Sequence, residues 1–127
     1  MREILRSEKL PGPKFNYSPC VKVGPIHQFA GLVGLSLETS ALVDGGPKFE
    51  TRKILENMTN ALPDFGLTWE DLYSARLFTT KFDQFTEINE AWGEVFGEID
   101  PPARTAVGVS ALPLAATIEI EFTFYKQ

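Results

Sequence analysis

TIEIEFTFY, the segment Thr117–Tyr125, alternates large apolar side chains with polar ones over its whole length. A period of two predicts a β-strand with one buried face, because successive side chains of a strand point to opposite sides of the sheet. The isoleucines and phenylalanines form the buried face, and Glu119 and Glu121 share the other one. This strand is the clearest element in the chain, so we interpret the rest of the sequence outward from it.

Two helices are predicted upstream of this strand. Apolar residues recur at helical spacing from Pro47 to Leu62, and Pro63 should end that helix because it lacks an N–H donor. We expect Asp83 to cap the second helix, whose opposite side carries regularly spaced glutamates typical of a solvated face. The apolar stripe of the second helix consists of Phe85, Ile88, Trp92, Val95, Phe96 and Ile99.

Five further strands complete the predicted set. A short strand precedes the loop Pro11–Pro13, and two strands meet at a tight turn at Gly24-Pro25, the second running from His27 to about Val33. The last two are expected at Leu72–Thr80 and Thr105–Ser110. The order β-β-β-α-β-α-β-β predicts an α+β fold: a single domain over residues 1–127, with one sheet and two helices on one of its faces. The uncovered face must be solvated or buried against another subunit.

Composition excludes several classes of function. The formal net charge is −5 and the basic residues are scattered, which argues against nucleic acid as the main partner. Cys20 is the only cysteine, so no intrachain disulfide can form. His27 is the only histidine, so a catalytic triad or a histidine metal cluster would have to be built around it, and no partner motif surrounds it. We interpret both side chains as structural. No stretch approaches transmembrane length, and the charged N-terminal segment does not resemble a signal peptide, so a reducing cytoplasm fits best.

Arg104 and Glu119 are the residues most suggestive of chemistry. If the last two strands form a hairpin that turns around Leu112-Pro113, these two residues lie opposite each other on one face, with Cβ atoms roughly 5 Å apart. Such a pair is either a structural ion pair or a site with divided roles. In a site, the guanidinium would bind a substrate carboxylate bidentately. The glutamate, kept ionised by the positive charge, would orient or deprotonate a water molecule.

The C-terminal segments resemble the signature of the YjgF/RidA family, also called the endoribonuclease L-PSP family. The segments are PARTAVGV (residues 102–109), ALPL (111–114) and IEIE (118–121), with further matches at Tyr17-Ser18, Val21–Gly24, Phe29–Gly31 and Phe85–Glu90. This resemblance implies a chorismate-mutase-like fold and a homotrimer whose sheets pack into a central barrel, with three sites in clefts between subunits. It also implies hydrolysis of reactive enamines and imines, such as 2-aminoacrylate and 2-iminopropionate, to 2-keto acids and ammonia, without a cofactor or a metal.

The resemblance also implies roles for individual residues. Arg104 would bind the substrate carboxylate and Glu119 would position the attacking water. Tyr17 and Asn89 would line the cleft, and Gly31 would be a backbone position that needs close approach.

Two positions depart from the family's pattern. Ala30 stands where many deaminases of the family carry serine, and Ala106 stands where they often carry cysteine or another polar residue. Because Ala106 follows Arg104 by two residues, it is expected on the same face of the strand and in the same cleft. Both alanines are expected to make the cleft wider and less polar, which would favour larger imines.

Two other functions remain open at this stage. The first is a non-catalytic trimer that binds small carboxylates such as keto acids. Glu119 counts against it, because a pure carboxylate binder gains nothing from a second negative charge. The second is an endoribonuclease or translation inhibitor, which the acidic net charge disfavours.

Overall fold

A computed structural model describes all residues of the chain, from Met1 to Gln127. The strands are β1 (Arg2–Leu5), β2 (Cys20–Val23), β3 (Ile26–Phe29), β4 (Leu72–Thr79), β5 (Ala103–Gly108) and β6 (Ile118–Tyr125). The helices are α1 (Pro47–Ala61) and α2 (Phe85–Phe96), and short 3₁₀ turns lie at Leu62–Phe65, Trp69–Asp71, Phe82–Gln84 and Pro113–Ala115. The predicted order of elements and the α+β fold class are confirmed.

The six strands form one mixed sheet in the order β1-β2-β3-β6-β4-β5. All neighbours run antiparallel except β4 and β5, which run parallel. β4 therefore lies between β5 and β6, and the predicted hairpin of the last two strands is wrong. The physical reason is helix α2, which connects β4 to β5 as a β-α-β crossover and so places β5 parallel beside β4. The other edge of β4 is then free to pair with β6.

The register of these strands fixes which side chains share a face. Ala75 on β4 pairs with Arg104 on one side and with Phe122 on the other, so all three point to the same face. Phe122 belongs to the buried face of β6. Because Glu119 precedes Phe122 by three residues, it points to the opposite face. Arg104 and Glu119 thus lie on opposite faces of the sheet.

The hydrophobic core fills the space between the sheet and the two helices. Strand β6 contributes four side chains with no exposed surface: Ile118, Ile120, Phe122 and Phe124. The helices cover them with Ile54, Leu55 and Met58 from α1 and with Ile88, Trp92 and Phe96 from α2. Full burial of one such side chain contributes about 1.5–3 kcal/mol, so the alternating pattern of β6 contributes substantially to the stability of the core.

Two helix boundaries test the sequence predictions. Helix α1 ends at Ala61, and Pro63 lies in the 3₁₀ turn that follows, which confirms its role as a breaker. Helix α2 begins at Phe85, and Gln84 occupies its N-cap position without a capping side-chain bond. Asp83 lies in the preceding turn, so its predicted capping role is wrong. The stacked rings of Phe82 and Phe85, 5.1 Å apart, pack this turn against the helix instead.

Strand β3 ends earlier than predicted, and this early end shapes the candidate site. The strand stops at Phe29. The chain then rejoins the sheet at Leu32, which forms an isolated bridge with Ile120 on β6. The interruption leaves Ala30 and Gly31 outside regular pairing and directs them to the open side of β6.

Candidate active site

A cavity of about 320 Å³ lies beside this interruption, between β6 and the loop that follows β1. It holds four of the residues implied by the family resemblance, namely Tyr17, Ala30, Gly31 and Glu119. The other lining residues are Pro11, Gly12, Lys14, Phe15, Leu32, Val33, Leu35, Pro113 and Leu114. We call this set the cleft group.

Backbone hydrogen bonds place Gly31 against Glu119. The Ala30 N–H donates to the Pro19 carbonyl at 3.0 Å, and Leu32 exchanges two bonds with Ile120 at 2.9 and 3.0 Å. A Cβ atom added to Gly31 would lie only 2.7 Å from the carboxyl carbon of Glu119. Glycine therefore lets the backbone approach this carboxylate closely, and any larger residue here would require the Glu119 side chain to shift.

The surroundings of Glu119 differ from those predicted. Glu119 is half-buried, and burial raises the pKa of its carboxyl, with a smaller contribution from the negative charge of Glu121. The expectation that Arg104 keeps this carboxyl ionised within one chain is wrong, because the two side chains point to opposite faces. A carboxyl with a raised pKa accepts a proton more readily than an ordinary glutamate does, which suits a general base.

Arg104 lies on the helix side of the sheet, between two aromatic rings. Its guanidinium carbon is 5.3 Å from the ring centre of Phe85 and 5.2 Å from that of Trp92. None of the ion pairs in the chain includes it. Burial lowers the pKa of this guanidinium, which nevertheless stays charged at any physiological pH. A half-buried cation without an anionic partner has its N–H donors free for an anionic ligand.

Asn89 and Ala106 belong to the same surface as Arg104. Asn89 follows Phe85 by four residues and precedes Trp92 by three, so it shares their side of helix α2 and is itself exposed. Ala106 lies two residues after Arg104 on β5 and packs partly against the core. We call Arg104, Asn89 and Ala106, with the two rings, the arginine group.

The two groups lie far apart on one chain. Arg104 is level with Ala75 and Glu119 is level with Phe78, three residues further along β4. This offset separates them by roughly 10 Å along the strand and by roughly 10 Å across two strand spacings, in addition to the opposite faces. A small ligand cannot contact both side chains within one chain.

Sequence reasoning missed several residues of these groups. Phe85 and Trp92 were predicted only as part of the apolar stripe of α2, and helical spacing alone gives no sign that a cation lies over them. Phe15 and Leu114 line the cavity from loops that carry no periodic signal. Leu114 and Ala115 adopt positive φ angles of 61° and 59°, a conformation that non-glycine residues rarely adopt and that often accompanies functional sites.

The two residues predicted to be structural lie outside both groups. Cys20 has no exposed surface, and burial raises its pKa to about 12, which makes it an unreactive core thiol. His27 is buried in the sheet, and burial lowers its pKa. No three His, Cys, Asp or Glu side chains lie close enough together to hold a metal ion.

Comparison with known proteins identifies the family. The family model described as endoribonuclease L-PSP matches residues 7–125. The chain is 35% identical over 126 residues to a RutC family protein of Pyrococcus abyssi, covering 99% of this chain and 98% of the relative. It is 31% identical over 120 residues to the 2-iminobutanoate/2-iminopropanoate deaminase of Dermatophagoides farinae, covering 94% and 93%. The chain therefore belongs to the endoribonuclease L-PSP family, which is the YjgF/RidA family.

Solved structures agree with this assignment. RidA from the Antarctic bacterium Psychrobacter superimposes with a TM-score of 0.91 at 30% identity, covering 98% of this chain and 99% of that one. Escherichia coli TdcF with bound serine superimposes with a TM-score of 0.90 at 25% identity, with the same coverage. Neither helix of the present chain is long and apolar enough to cross a membrane.

Proposed function

We propose that the protein hydrolyses 2-imino acids to 2-keto acids and ammonia, in clefts formed between the subunits of a homotrimer. The observation that carries this proposal is the division of the site into two groups on opposite faces of one sheet. Each group is incomplete alone: the arginine group can bind a carboxylate but has no base, and the cleft group has a base but no carboxylate anchor. Contact between the cleft group of one copy and the arginine group of the next would complete the site.

Such a contact joins two different surfaces, so it is heterologous, and heterologous contacts close into rings when the rotation permits. A ring of three copies contains three equivalent sites. The exposed apolar side chains at the rim of the cleft, Phe15 and Leu114, are 62% and 42% exposed in the single chain. Contact with a neighbouring copy would cover them.

The chemistry assigned to this composite site needs no group beyond the side chains present. The guanidinium of Arg104 holds the substrate carboxylate through its two parallel N–H donors. The substrate imine is protonated on nitrogen by solvent. Glu119 takes a proton from a water molecule whose oxygen adds to the carbon of this iminium ion, and the C=N electron pair moves onto nitrogen to give a neutral amino group. Glu119 then returns its proton to the amino nitrogen of the tetrahedral adduct. The C–N bond breaks, ammonia leaves, and the adduct's hydroxyl becomes the ketone of the 2-keto acid as its proton passes to solvent water.

The relatives support this reaction. The Dermatophagoides farinae protein is named for the same chemistry. Serine, bound in the TdcF structure, is a small amino acid whose carboxylate resembles that of the proposed substrate. Glu119 favours hydrolysis over simple carboxylate binding, and the acidic net charge favours either over ribonuclease action. The cytoplasm remains the compartment predicted from the sequence.

Subunit complementation tests the divided site. Arg104→Ala and Glu119→Gln subunits, each inactive in its own trimer, are mixed, unfolded and refolded together. If each site takes its arginine from one copy and its glutamate from the next, random mixing at equal amounts leaves about one quarter of the sites intact, because the contact is heterologous. If both residues of a site came from one chain, every site in the mixture would lack one of them.

The assay generates 2-aminoacrylate in situ with a serine dehydratase and traps its imine tautomer with semicarbazide. An active protein suppresses trapping and speeds the appearance of pyruvate. We expect about one quarter of the wild-type rate from the refolded mixture, and no rate from the same variants mixed without unfolding. A wild-type trimer that fails to suppress trapping would contradict the proposed reaction, and a refolded mixture without activity would contradict the divided site.

A further inference from the structure

A row of aromatic rings surrounds the guanidinium of Arg104. Phe82 stacks on Phe85 with the ring planes 5° apart, and Trp92 stacks on Phe96 with centres 4.6 Å apart. Arg104 lies between the two stacked pairs, over Phe85 and Trp92. The cation therefore lies over one ring of each stacked pair, and all four rings belong to helix α2 or to the turn before it.

Helix geometry explains why both rings reach the same cation. Phe85 and Trp92 are seven residues apart, which is close to two full turns and corresponds to a rise of about 10 Å. The guanidinium is 5.3 Å from one ring centre and 5.2 Å from the other, so it fits the gap between two rings on one side of the helix. Each of the two rings also stacks on a second ring, which restrains its own orientation.

This arrangement differs chemically from an ion pair. A carboxylate partner would fix the arginine but would also occupy the N–H donors that a ligand needs. Aromatic faces attract the cation through their quadrupole and leave those donors free. Stacking also removes side-chain freedom before the ligand arrives, so less conformational entropy is lost on binding.

We infer that Phe85 and Trp92 are positioning residues that hold the guanidinium of Arg104 ready for a carboxylate. The inference rests on the proposed function only in that the ligand carries a carboxylate. It assigns the two aromatic residues a role in substrate affinity that their place in the hydrophobic core does not require.

The variants are Phe85→Leu, Trp92→Leu and Trp92→Phe, with Trp69→Leu as the matched control. Trp69 packs in the same aromatic core, against Phe96 and Phe122, but does not contact Arg104. Binding of pyruvate and 2-oxobutanoate is measured by calorimetry, and imine turnover by the trapping assay. Circular dichroism melts identify any variant that has lost its fold.

We expect Phe85→Leu and Trp92→Leu each to raise Kd and KM by roughly 3- to 30-fold, the range of a partly desolvated cation–π contact, with kcat little changed. Trp92→Phe should recover most of the affinity, since it restores an aromatic face. In an Arg104→Lys background the same leucine substitutions should change Kd by less than about twofold, because an ammonium does not stack on rings as a planar guanidinium does. Trp69→Leu should affect stability and leave Kd unchanged.

Trp92 also provides a direct signal. The chain contains two tryptophans, so Trp69→Phe leaves Trp92 as the only one. Saturation with pyruvate should change its emission, and Arg104→Ala should abolish that change.

Several outcomes would overturn the inference. These are an unchanged Kd in both leucine variants, an equal loss in the Trp69→Leu control, an equal loss in the Arg104→Lys background, or a wild-type protein that binds neither keto acid. A protein that binds keto acids through the rings but does not hydrolyse imines would uphold the inference and contradict the proposed reaction instead.

Discussion

Two half-buried charged side chains, Arg104 and Glu119, lack a partner of opposite charge in the single chain. Burial lowers the pKa of the first and raises that of the second, so each shift disfavours the charged form. A ligand carboxylate beside Arg104 would oppose its shift. Uncompensated charges of this kind are costly to a fold, which is why they indicate a binding site more strongly than the exposed ion pairs of this chain do.

Replacement of Arg104 tests the carboxylate anchor. Arg104→Ala should lower kcat/KM at least roughly 100-fold, because each hydrogen bond to a charged group contributes about 1.5–3 kcal/mol. Arg104→Lys should also lower kcat/KM strongly, because lysine offers a point charge in place of the planar, bidentate guanidinium. The thermal midpoint should change little in both variants. Wild-type kinetics in Arg104→Ala would exclude the anchor role.

The pH dependence of turnover tests Glu119. A general base must be ionised, so activity falls as the pH drops through its pKa, and a raised pKa moves this fall to higher pH. The acidic limb of kcat/KM should therefore lie above the value of about 4.3 for an ordinary glutamate. Glu119→Gln should lower kcat roughly 10²–10⁴-fold and remove the limb, while keto-acid binding persists. If Glu119→Gln leaves both kcat and the acidic limb of the pH profile unchanged, Glu119 is not the general base.

We expect Ala30 and Ala106 to determine which imine substrates the protein prefers. Ala30 lines the cavity and Ala106 lies in the arginine group, so in a composite site they would face the substrate from two different copies. A methylene against an apolar wall contributes about 0.8 kcal/mol, enough for a few-fold preference per carbon. Wild type should prefer imines derived from 2-aminobutyrate, leucine or methionine over the imine from alanine.

The double variant Ala30→Ser, Ala106→Ser tests this expectation. It should shift the substrate preference toward the smallest imine. The measurement is kcat/KM across a series of amino-acid-derived imines. A flat wild-type profile, or the same profile in the double variant, would show that neither position shapes the pocket.

At the scale of elements, sequence periodicity predicted the individual strands and helices but not how distant strands pair in the sheet. The period-two pattern of β6 and the helical stripe of α2 are set by neighbouring residues, so both elements were found. The pairing of β5 depends on how α2 crosses the sheet, a choice made over more than twenty residues, and the hairpin assumption therefore failed. The residues of the site could be named from the family resemblance. Their division between two faces could not, because it follows from that pairing.

A buried carboxylate on helix α1 bonds to the residue just before strand β6, which carries Glu119. Glu50 is 4% exposed and accepts hydrogen bonds from the Thr117 N–H at 2.8 Å and from its hydroxyl at 2.7 Å. Glu50→Ala should lower the free energy of unfolding by about 3–6 kcal/mol, because it removes two hydrogen bonds to a charged group. Urea denaturation measures the change.

The control for this contact is Glu56→Ala on the same helix. Glu56 is exposed and forms only an ion pair with Lys53 at 3.2 Å, so its loss should cost less than about 0.5 kcal/mol. Equal effects of the two substitutions would mean that the contact between Glu50 and Thr117 does not stabilise the fold.

At the scale of the whole molecule, one face of the sheet remains uncovered. Both helices pack on the other face, and the open face carries polar contacts such as the pair Arg76–Glu121 at 3.6 Å and the bond from Thr123 to Gln28 at 2.7 Å. The strand register places exposed apolar side chains on the same face, namely Ile4, Val23, Val107 and Tyr125. The argument for assembly therefore comes from the two halves of the site, from the apolar rim of the cleft and from the exposed apolar side chains of the uncovered face.

Oligomeric state tests this argument. Light scattering should give a mass three times the chain mass of 14.1 kDa over a wide range of concentration. If folding and assembly are coupled, the thermal midpoint should rise with protein concentration, since mass action favours the assembled state. Keto acids should raise the midpoint further in wild type but not in Arg104→Ala, because a ligand that binds between copies stabilises their contact. A mass equal to one chain at every concentration would exclude the intersubunit site. Because Arg104 and Glu119 cannot reach one small ligand within a single chain, it would also leave imine hydrolysis without a complete site.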